Sequence, residues 1–137
     1  GGLVGARLTG IAGSSDVFVG ASVAYANRVK EECLDVPRRL LAENGAVSAE
    51  VAEAMAQGVR ERLGADVGVA VTGVAGPGGG TAEKPVGLVF LHVSTPEGDG
   101  ARSLKLPGDR DAVRQRATAS LLHLIRRTLV TDGAGRA

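Results

Sequence analysis

Asp66-Val-Gly-Val-Ala-Val-Thr72 is the stretch that decides the fold. Its valines occupy every second position and therefore share one face of a β-strand, while Gly68 and Ala70 lie on the other. The nearly bare second face predicts a central strand with a helix packed closely against it. Residues 86–93 follow a loop rich in glycine and proline and are apolar on both faces, as in strands of a sheet covered by helices.

The remaining elements are predicted from periodicity and capping residues. Ser48 is a good N-cap for a helix that carries one apolar stripe, and Gly64 is expected to end this helix. Residues 102–106 alternate leucine with polar residues, which predicts an antiparallel edge strand, and Asp109 or Asp111 can cap a last helix. We also predict a helix over 3–8, a turn over 11–16, a buried strand over 17–25, and short helices over 27–34 and 37–42. Helices interleaved with strands indicate an α/β sandwich.

Length and composition exclude several classes of protein. The 137 residues suit one domain, predicted over 1–130, followed by a flexible polar tail over 131–137. A net charge of +1 and only three aromatic residues argue against a nucleic-acid partner. The sequence has no apolar stretch of the ~20 residues that a membrane span needs, so we expect no membrane partner and a cytoplasmic location. Cys33 cannot form an internal disulfide, and His92 and His123 are a poor ligand set, so no metal is expected.

The first of three segments that packing does not explain carries Ser15, followed by Tyr25 and Lys30. A serine nucleophile needs a group that takes its proton, and a lysine whose pKa is lowered by burial can do so. A tyrosine can relay or donate a proton, or hold the serine in place. The alternative is a turn serine and a solvated lysine without chemical roles.

The second segment is the glycine-rich loop that runs from Thr72 to Gly87. Its glycines let backbone amides approach a ligand closely, and such amides bind anions. It is not a P-loop, because no Gly-Lys-Ser/Thr triplet closes it, nor a dinucleotide fingerprint, because a strand follows it. A flexible hairpin connection is the alternative.

The third segment carries Arg110 in the first turn of the predicted last helix. The helix dipole gains nothing from a positive charge there, which favours an anionic ligand or a carboxylate partner for this arginine. A purely structural pairing with an aspartate is the alternative.

Together these segments resemble the C-terminal domain of the competence/damage-inducible CinA family, whose stand-alone form is nicotinamide-nucleotide amidase. The shared phrases follow the family's order up to about residue 130: Gly1-Gly2, Ala12-Gly-Ser-Ser15, Tyr25-x-Asn27-x-x-Lys30, Gly45-Ala-Val-Ser48, Thr72-Gly-x-Ala-Gly-Pro77, Glu83-Lys-Pro-Val-Gly87 and Gly108-Asp-Arg110. The resemblance implies a three-layer α/β/α sandwich with a mixed sheet and a homodimer, and it does not imply a metal or an organic cofactor, so none is expected. It also implies hydrolysis of nicotinamide mononucleotide, a small-molecule pyridine nucleotide, to nicotinate mononucleotide and ammonia in pyridine-nucleotide salvage.

The resemblance also implies roles for individual residues. Ser15 matches the nucleophile, with Tyr25 and Lys30 as the groups that activate it, while Thr72 and Arg110 match positions that orient the substrate and stabilise charge. The substrate phosphate is expected on backbone amides at a helix N-terminus near the start of the chain. The expected substrate-binding residues are Gly1, Gly2, Asn27, Thr72, Gly73, Gly76 and Arg110.

One departure from the family pattern concerns the start of the sequence. Family members enter this region through a strand and the residues Glu-Ser-Cys-Thr, whereas this sequence begins at Gly1. We therefore expect it to be part of a longer chain, and a hydroxyl of that preceding segment is the alternative nucleophile. The alternative function is a non-catalytic nucleotide-binding or regulatory module of a larger CinA protein. A third alternative is a purely structural dimerisation domain, which would give the glycine-rich loop and Arg110 no function.

Overall fold

The structure, a computed structural model, describes residues 1–134 and consists of helices packed around a three-stranded sheet. In chain order its elements are α1 (Leu3–Thr9), a 3₁₀ turn (Ser14–Asp16), α2 (Asn27–Leu34), α3 (Arg38–Asn44), α4 (Ala49–Leu63), β1 (Gly68–Gly73), β2 (Leu88–Ser94), β3 (Gly100–Lys105) and α5 (Arg110–Ala134). The sheet order is β1-β2-β3, and both neighbouring pairs are antiparallel. The predicted α/β sandwich and its antiparallel edge strand are confirmed.

Strand β1 packs against α4 through its small residues, as the alternation of valine with glycine and alanine predicts. A Cβ at Gly68 would lie 2.1 Å from the carbonyl oxygen of Ala56 in α4, so only glycine allows this approach. Ala70 is buried on the same face, whereas Val69 and Val71 pack into the cluster on the other face of the sheet. The bare face of the strand therefore brings the helix backbone close to the sheet.

Helix α4 begins and ends at the residues that the sequence indicates. The Oγ of Ser48 accepts a hydrogen bond from the backbone N–H of Val51 at 3.2 Å, and Gly64 follows the last turn with φ of +60°. Val51 and Met55 are buried in the core between α4 and the sheet. Met55 is thus a packing residue.

Helix α5 covers the other face of the sheet and makes the third layer. Its N-terminus is capped by Asp109, whose Oδ1 accepts from the N–H of Ala112 at 2.9 Å. Side chains of α5 and β2 form a shared cluster that includes Leu91 and Leu121. The helix continues to Ala134, so residues 131–134 of the predicted tail are helical, and residues 135–137 lie outside the described part of the chain. No helix within residues 1–134 is both long and apolar enough to cross a membrane.

The predicted buried strand over residues 17–25 is wrong. This segment has no regular secondary structure and pairs with no strand of the described chain, and Val17 and Tyr25 are 82% and 72% exposed. Within it the backbone forms one internal hydrogen bond, from Tyr25 N–H to Val23 C=O at 3.0 Å. A β-branched, apolar sequence forms a strand only where a neighbour supplies hydrogen-bonding partners, and no strand within residues 1–134 does so.

The loss of that strand changes the sheet as well. Strand β1 has β2 as its one neighbour in the described chain, so it lies at an edge and not at the centre as predicted. The expected mixed sheet is likewise purely antiparallel over the described residues, because both of its pairs, β1–β2 and β2–β3, are antiparallel.

Candidate active site

Arg110 lies in the third of the segments that the sequence singles out, and its guanidinium contacts the other two. Its Nη2 donates to the phenol oxygen of Tyr25 at 3.1 Å, and its Nη1 donates to the carbonyl oxygen of Gly76 at 2.9 Å. Both acceptors are neutral, so the carboxylate partner considered for Arg110 is not found among the described residues. Its charge therefore stays available to an anionic group, next to a tyrosine hydroxyl and the glycine-rich loop.

Lys30 is a buried cation without a counterion. Only 5% of the residue is exposed, and its Nζ donates one hydrogen bond, to the backbone carbonyl of Tyr25 at 3.1 Å. No carboxylate within the described chain forms an ion pair with it. Burial disfavours the ammonium form and lowers the pKa of Lys30 below its usual value. This is the electrostatic state that a neutral amine base requires.

Ser15 is not joined to these groups by a hydrogen bond within the described residues. It is exposed in the 3₁₀ turn, and its hydroxyl has no hydrogen-bond partner in the part of the chain that the structure describes. Ser15 forms no contact of this kind with Tyr25 or Lys30. Tyr25 and Lys30 are brought together, through the backbone carbonyl of the tyrosine, and the serine is not.

Thr72 and Lys84 tie the end of β1 and the glycine-rich loop to the segment before α4. The buried Thr72 hydroxyl donates to the carbonyl of Ala46 at 2.8 Å, and the Lys84 ammonium donates to the carbonyl of Asn44. The role of Lys84 was missed by sequence reasoning, although Glu83-Lys-Pro-Val-Gly87 belongs to the shared phrases. The backbone acceptor it uses leaves no mark in the sequence.

Several loop glycines serve the packing of the loop itself. A Cβ at Gly76, whose φ is +84°, would lie 2.5 Å from a methyl carbon of Val86, and one at Gly73 would lie 2.8 Å from the carbonyl oxygen of Leu88. Around Gly78 there is open space. Ligand approach is thus not needed to explain Gly73 and Gly76, whereas the loop tip near Gly78 is free to receive a ligand.

The expected phosphate region at the start of α1 carries a cation that sequence reasoning missed. Gly2 precedes the helix with φ of +88°, and a Cβ at Gly1 would lie 3.5 Å from Nη2 of Arg114. The Arg114 guanidinium has no hydrogen-bond partner or counterion within the described residues. Its position one helical turn after Arg110 could have revealed it, because residues four apart share a helix face.

Asn27 is the first residue of α2 and is exposed, with no side-chain hydrogen bond in the described chain.

Two surface grooves, of about 380 and 440 Å³, lie between β3 and α5 and along α2–α4, and neither includes a candidate catalytic residue. The candidate site is therefore an open surface around Tyr25, Lys30, Gly76 and Arg110.

The chain is similar to sequences that continue well beyond it. A CinA-like protein of Desulfotalea psychrophila is 49% identical over 132 residues, which cover 96% of this chain and 32% of that protein. A CinA-like protein of Mycobacterium sp. (strain MCS) is 55% identical over 130 residues, covering 94% and 31% respectively. This chain thus spans about a third of the length of these relatives.

Solved structures agree with the sequence comparison. Competence/damage inducible protein CihA from Agrobacterium tumefaciens superposes with a TM-score of 0.87 at 39% identity, covering 97% of this chain and 79% of that one. Competence damage-inducible protein A from Klebsiella pneumoniae gives a TM-score of 0.90 at 28% identity, covering 95% and 81%. A family model for the CinA C-terminal domain matches residues 1–129. With fold and sequence in agreement over nearly the whole chain, the protein belongs to the CinA C-terminal domain family.

Proposed function

We propose that this domain is an amidohydrolase that converts nicotinamide mononucleotide to nicotinate mononucleotide and ammonia. The observation that carries the proposal is Lys30, which is buried, has no counterion and has a pKa lowered by that burial. A lysine that is neutral at working pH can remove the proton of a serine hydroxyl, which histidine does in other hydrolases.

The proposed reaction has two halves. The Ser15 oxygen bonds to the carboxamide carbon while its proton passes to Lys30 Nζ. The C–N bond then breaks, and the leaving nitrogen takes that proton and departs as ammonia. Water hydrolyses the resulting ester to the carboxylate, with Lys30 again accepting a proton and returning it to Ser15.

Tyr25 and Arg110 are proposed to stabilise the negative charge that develops on the carboxamide oxygen. The guanidinium polarises the phenol that it contacts at 3.1 Å, and both groups are donors on the same surface as Lys30. Donors already oriented before the reaction stabilise an oxyanion without further reorganisation. Arg110 therefore acts in the proposal as an electrostatic group next to the reacting centre.

The proposal requires Ser15 to approach Lys30 when substrate binds. The serine is on an exposed turn, joined to Tyr25 by the unpaired segment 17–25, whose backbone has few hydrogen bonds to lose. Catalytic hydrogen bonds that are long in a free enzyme commonly shorten in the complex. The lack of a hydrogen bond between Ser15 and Lys30 in the described structure is also what favours the second candidate, a non-catalytic nucleotide-binding module of a larger CinA protein.

Product analysis separates these two functions. Incubation of the chain with nicotinamide mononucleotide should yield ammonia and nicotinate mononucleotide in equal amounts, assayed enzymatically and by chromatography. Saturable binding of the nucleotide without either product would favour the binding module and contradict the amidase.

Arg114 is proposed to contact the substrate phosphate. Replacing it with glutamine should raise the KM for nicotinamide mononucleotide about tenfold, with kcat nearly unchanged, because a charge-assisted hydrogen bond to phosphate contributes about 1.5–3 kcal/mol. The KM for nicotinamide riboside, which lacks the phosphate, should stay the same. Steady-state ammonia release from both substrates measures this.

The matched control for Arg114 is Arg126→Gln, an exposed arginine farther along α5. Its replacement should leave both KM values unchanged. Equal increases of KM for the nucleotide and the riboside in the Arg114 variant would contradict a phosphate contact.

A further inference from the structure

A second cluster of chemically active side chains lies on the α4 face of the sheet. It consists of Glu53 from α4, His92 from β2 and Asp99 from the turn between β2 and β3. His92 pairs in register with Ala70, and Asp99 lies beyond the end of β2 that pairs with Gly68, whereas the candidate active site lies where β1 ends. The proposed amidase reaction makes no use of this cluster.

The geometry of the cluster brings three ligand atoms into one small volume. The Nε2 of His92 and Oδ2 of Asp99 are 2.7 Å apart. One ligand atom from each of Glu53, His92 and Asp99 lies within 4.8 Å of the other two. In a tetrahedral site with bonds of about 2.0–2.2 Å, ligand atoms are about 3.4 Å apart. Small side-chain rotations that move these ligand atoms by about 1 Å would therefore bring all three to the spacing of a tetrahedral site.

The imidazole is the buried member of the cluster and its position is fixed. The His92 side chain is only 9% exposed, because it faces the α4 layer from the central strand. Glu53 and Asp99 approach it from the solvent side. A buried nitrogen ligand with two carboxylates at its exposed edge leaves an open approach for an ion from water.

Further contacts orient both carboxylates, as is common around metal ligands. Oδ1 of Asp99 accepts from the backbone N–H of Thr95 at 3.2 Å, which leaves Oδ2 directed at the imidazole. Glu53 Oε1 accepts from Gln57 Nε2 at 3.2 Å, one helical turn away. Among the described residues, no lysine or arginine forms an ion pair with either acid.

We propose that Glu53, His92 and Asp99 bind one divalent transition-metal ion of the zinc class. The ion takes the place of the proton shared by His92 and Asp99, and its two charges balance the two carboxylates. One imidazole nitrogen and two carboxylate oxygens are ligands that zinc accepts, with water in the fourth position, whereas magnesium and calcium prefer oxygen alone. Such an ion links α4 to the β2–β3 turn and stabilises the fold.

Zinc titration of the metal-stripped, untagged chain tests the proposal. The chain should carry Cys33→Ser, because the exposed thiol is a competing zinc ligand. Calorimetry should show about one Zn²⁺ bound per chain, and saturating zinc should raise the unfolding temperature by about 5 °C or more. Magnesium at the same concentration should produce neither effect.

Two variants and one control assign the site. Glu53→Gln and Asp99→Asn replace exposed side chains and should each weaken zinc binding about tenfold or more while the apo chain remains folded. Glu50→Gln, on the same helix outside the cluster, should bind as the unmodified chain does. Absence of zinc binding, binding unchanged in both variants, or equal stabilisation by magnesium would each overturn the proposal.

Discussion

Replacing Lys30 with methionine should lower kcat for ammonia release from nicotinamide mononucleotide by about a hundredfold or more, the scale of losing a general base. The chain should nevertheless unfold at the same or a higher temperature. The reason is that the substitution removes a buried amine that has one hydrogen bond and no ion-pair partner among the described residues, and replaces it with an apolar side chain of similar length. Steady-state kinetics and thermal unfolding measured on the same preparation test both halves of this prediction.

The matched control is Lys105→Met, which removes an exposed lysine from the edge strand β3. It should leave kcat unchanged, since an exposed lysine with no proposed role in the reaction takes no part in proton transfer. A Lys30 variant that retains wild-type turnover would exclude this residue as the base. A marked fall in its unfolding temperature would show that the ammonium is a structural group.

The second large effect is expected for Ser15→Ala, which should also lower kcat about a hundredfold or more because it removes the proposed nucleophile. Its unfolding temperature should stay within about 1 °C of the unmodified chain. The hydroxyl is exposed and has no hydrogen-bond partner in the described structure, so the fold loses nothing when it is removed. Loss of turnover with an intact fold is the signature of a reacting group.

Ser14→Ala tests whether the effect belongs to this position, because it removes the neighbouring hydroxyl of the same turn. It should retain most of the activity. Wild-type turnover by the Ser15 variant, when it is made in the longer chain that includes the segment before Gly1, would instead assign the nucleophile to a hydroxyl of that segment.

Local signals predicted those elements whose own residues determine them. Ser48 caps α4 and Gly64 ends it, because a capping hydroxyl and a glycine with positive φ act within a single turn. The close packing of β1 on α4 was also predictable, since Gly68 has no side chain to hold the helix away.

Partners that are distant in sequence limited the prediction. Residues 17–25 have the composition of a strand, but composition does not say whether a neighbouring strand is present to pair with them. The contacts of Arg110 with Tyr25 and Gly76 depend on how three loops meet, so the sequence indicated an unusual arginine without indicating its partners. The convergence of Glu53 and Asp99 on His92 was missed for the same reason, because the expectation that His92 is no ligand considered the two histidines alone.

The most direct test of the account is the pH dependence of ammonia release at saturating nicotinamide mononucleotide, measured between about pH 5 and pH 9. Burial lowers the pKa of Lys30, so the neutral base is present above that pKa and is lost as the pH falls through it. We predict that kcat of the unmodified chain declines on acidification with the slope of a single protonation. A rate that stays constant down to about pH 5 would contradict Lys30 as the base of the reaction.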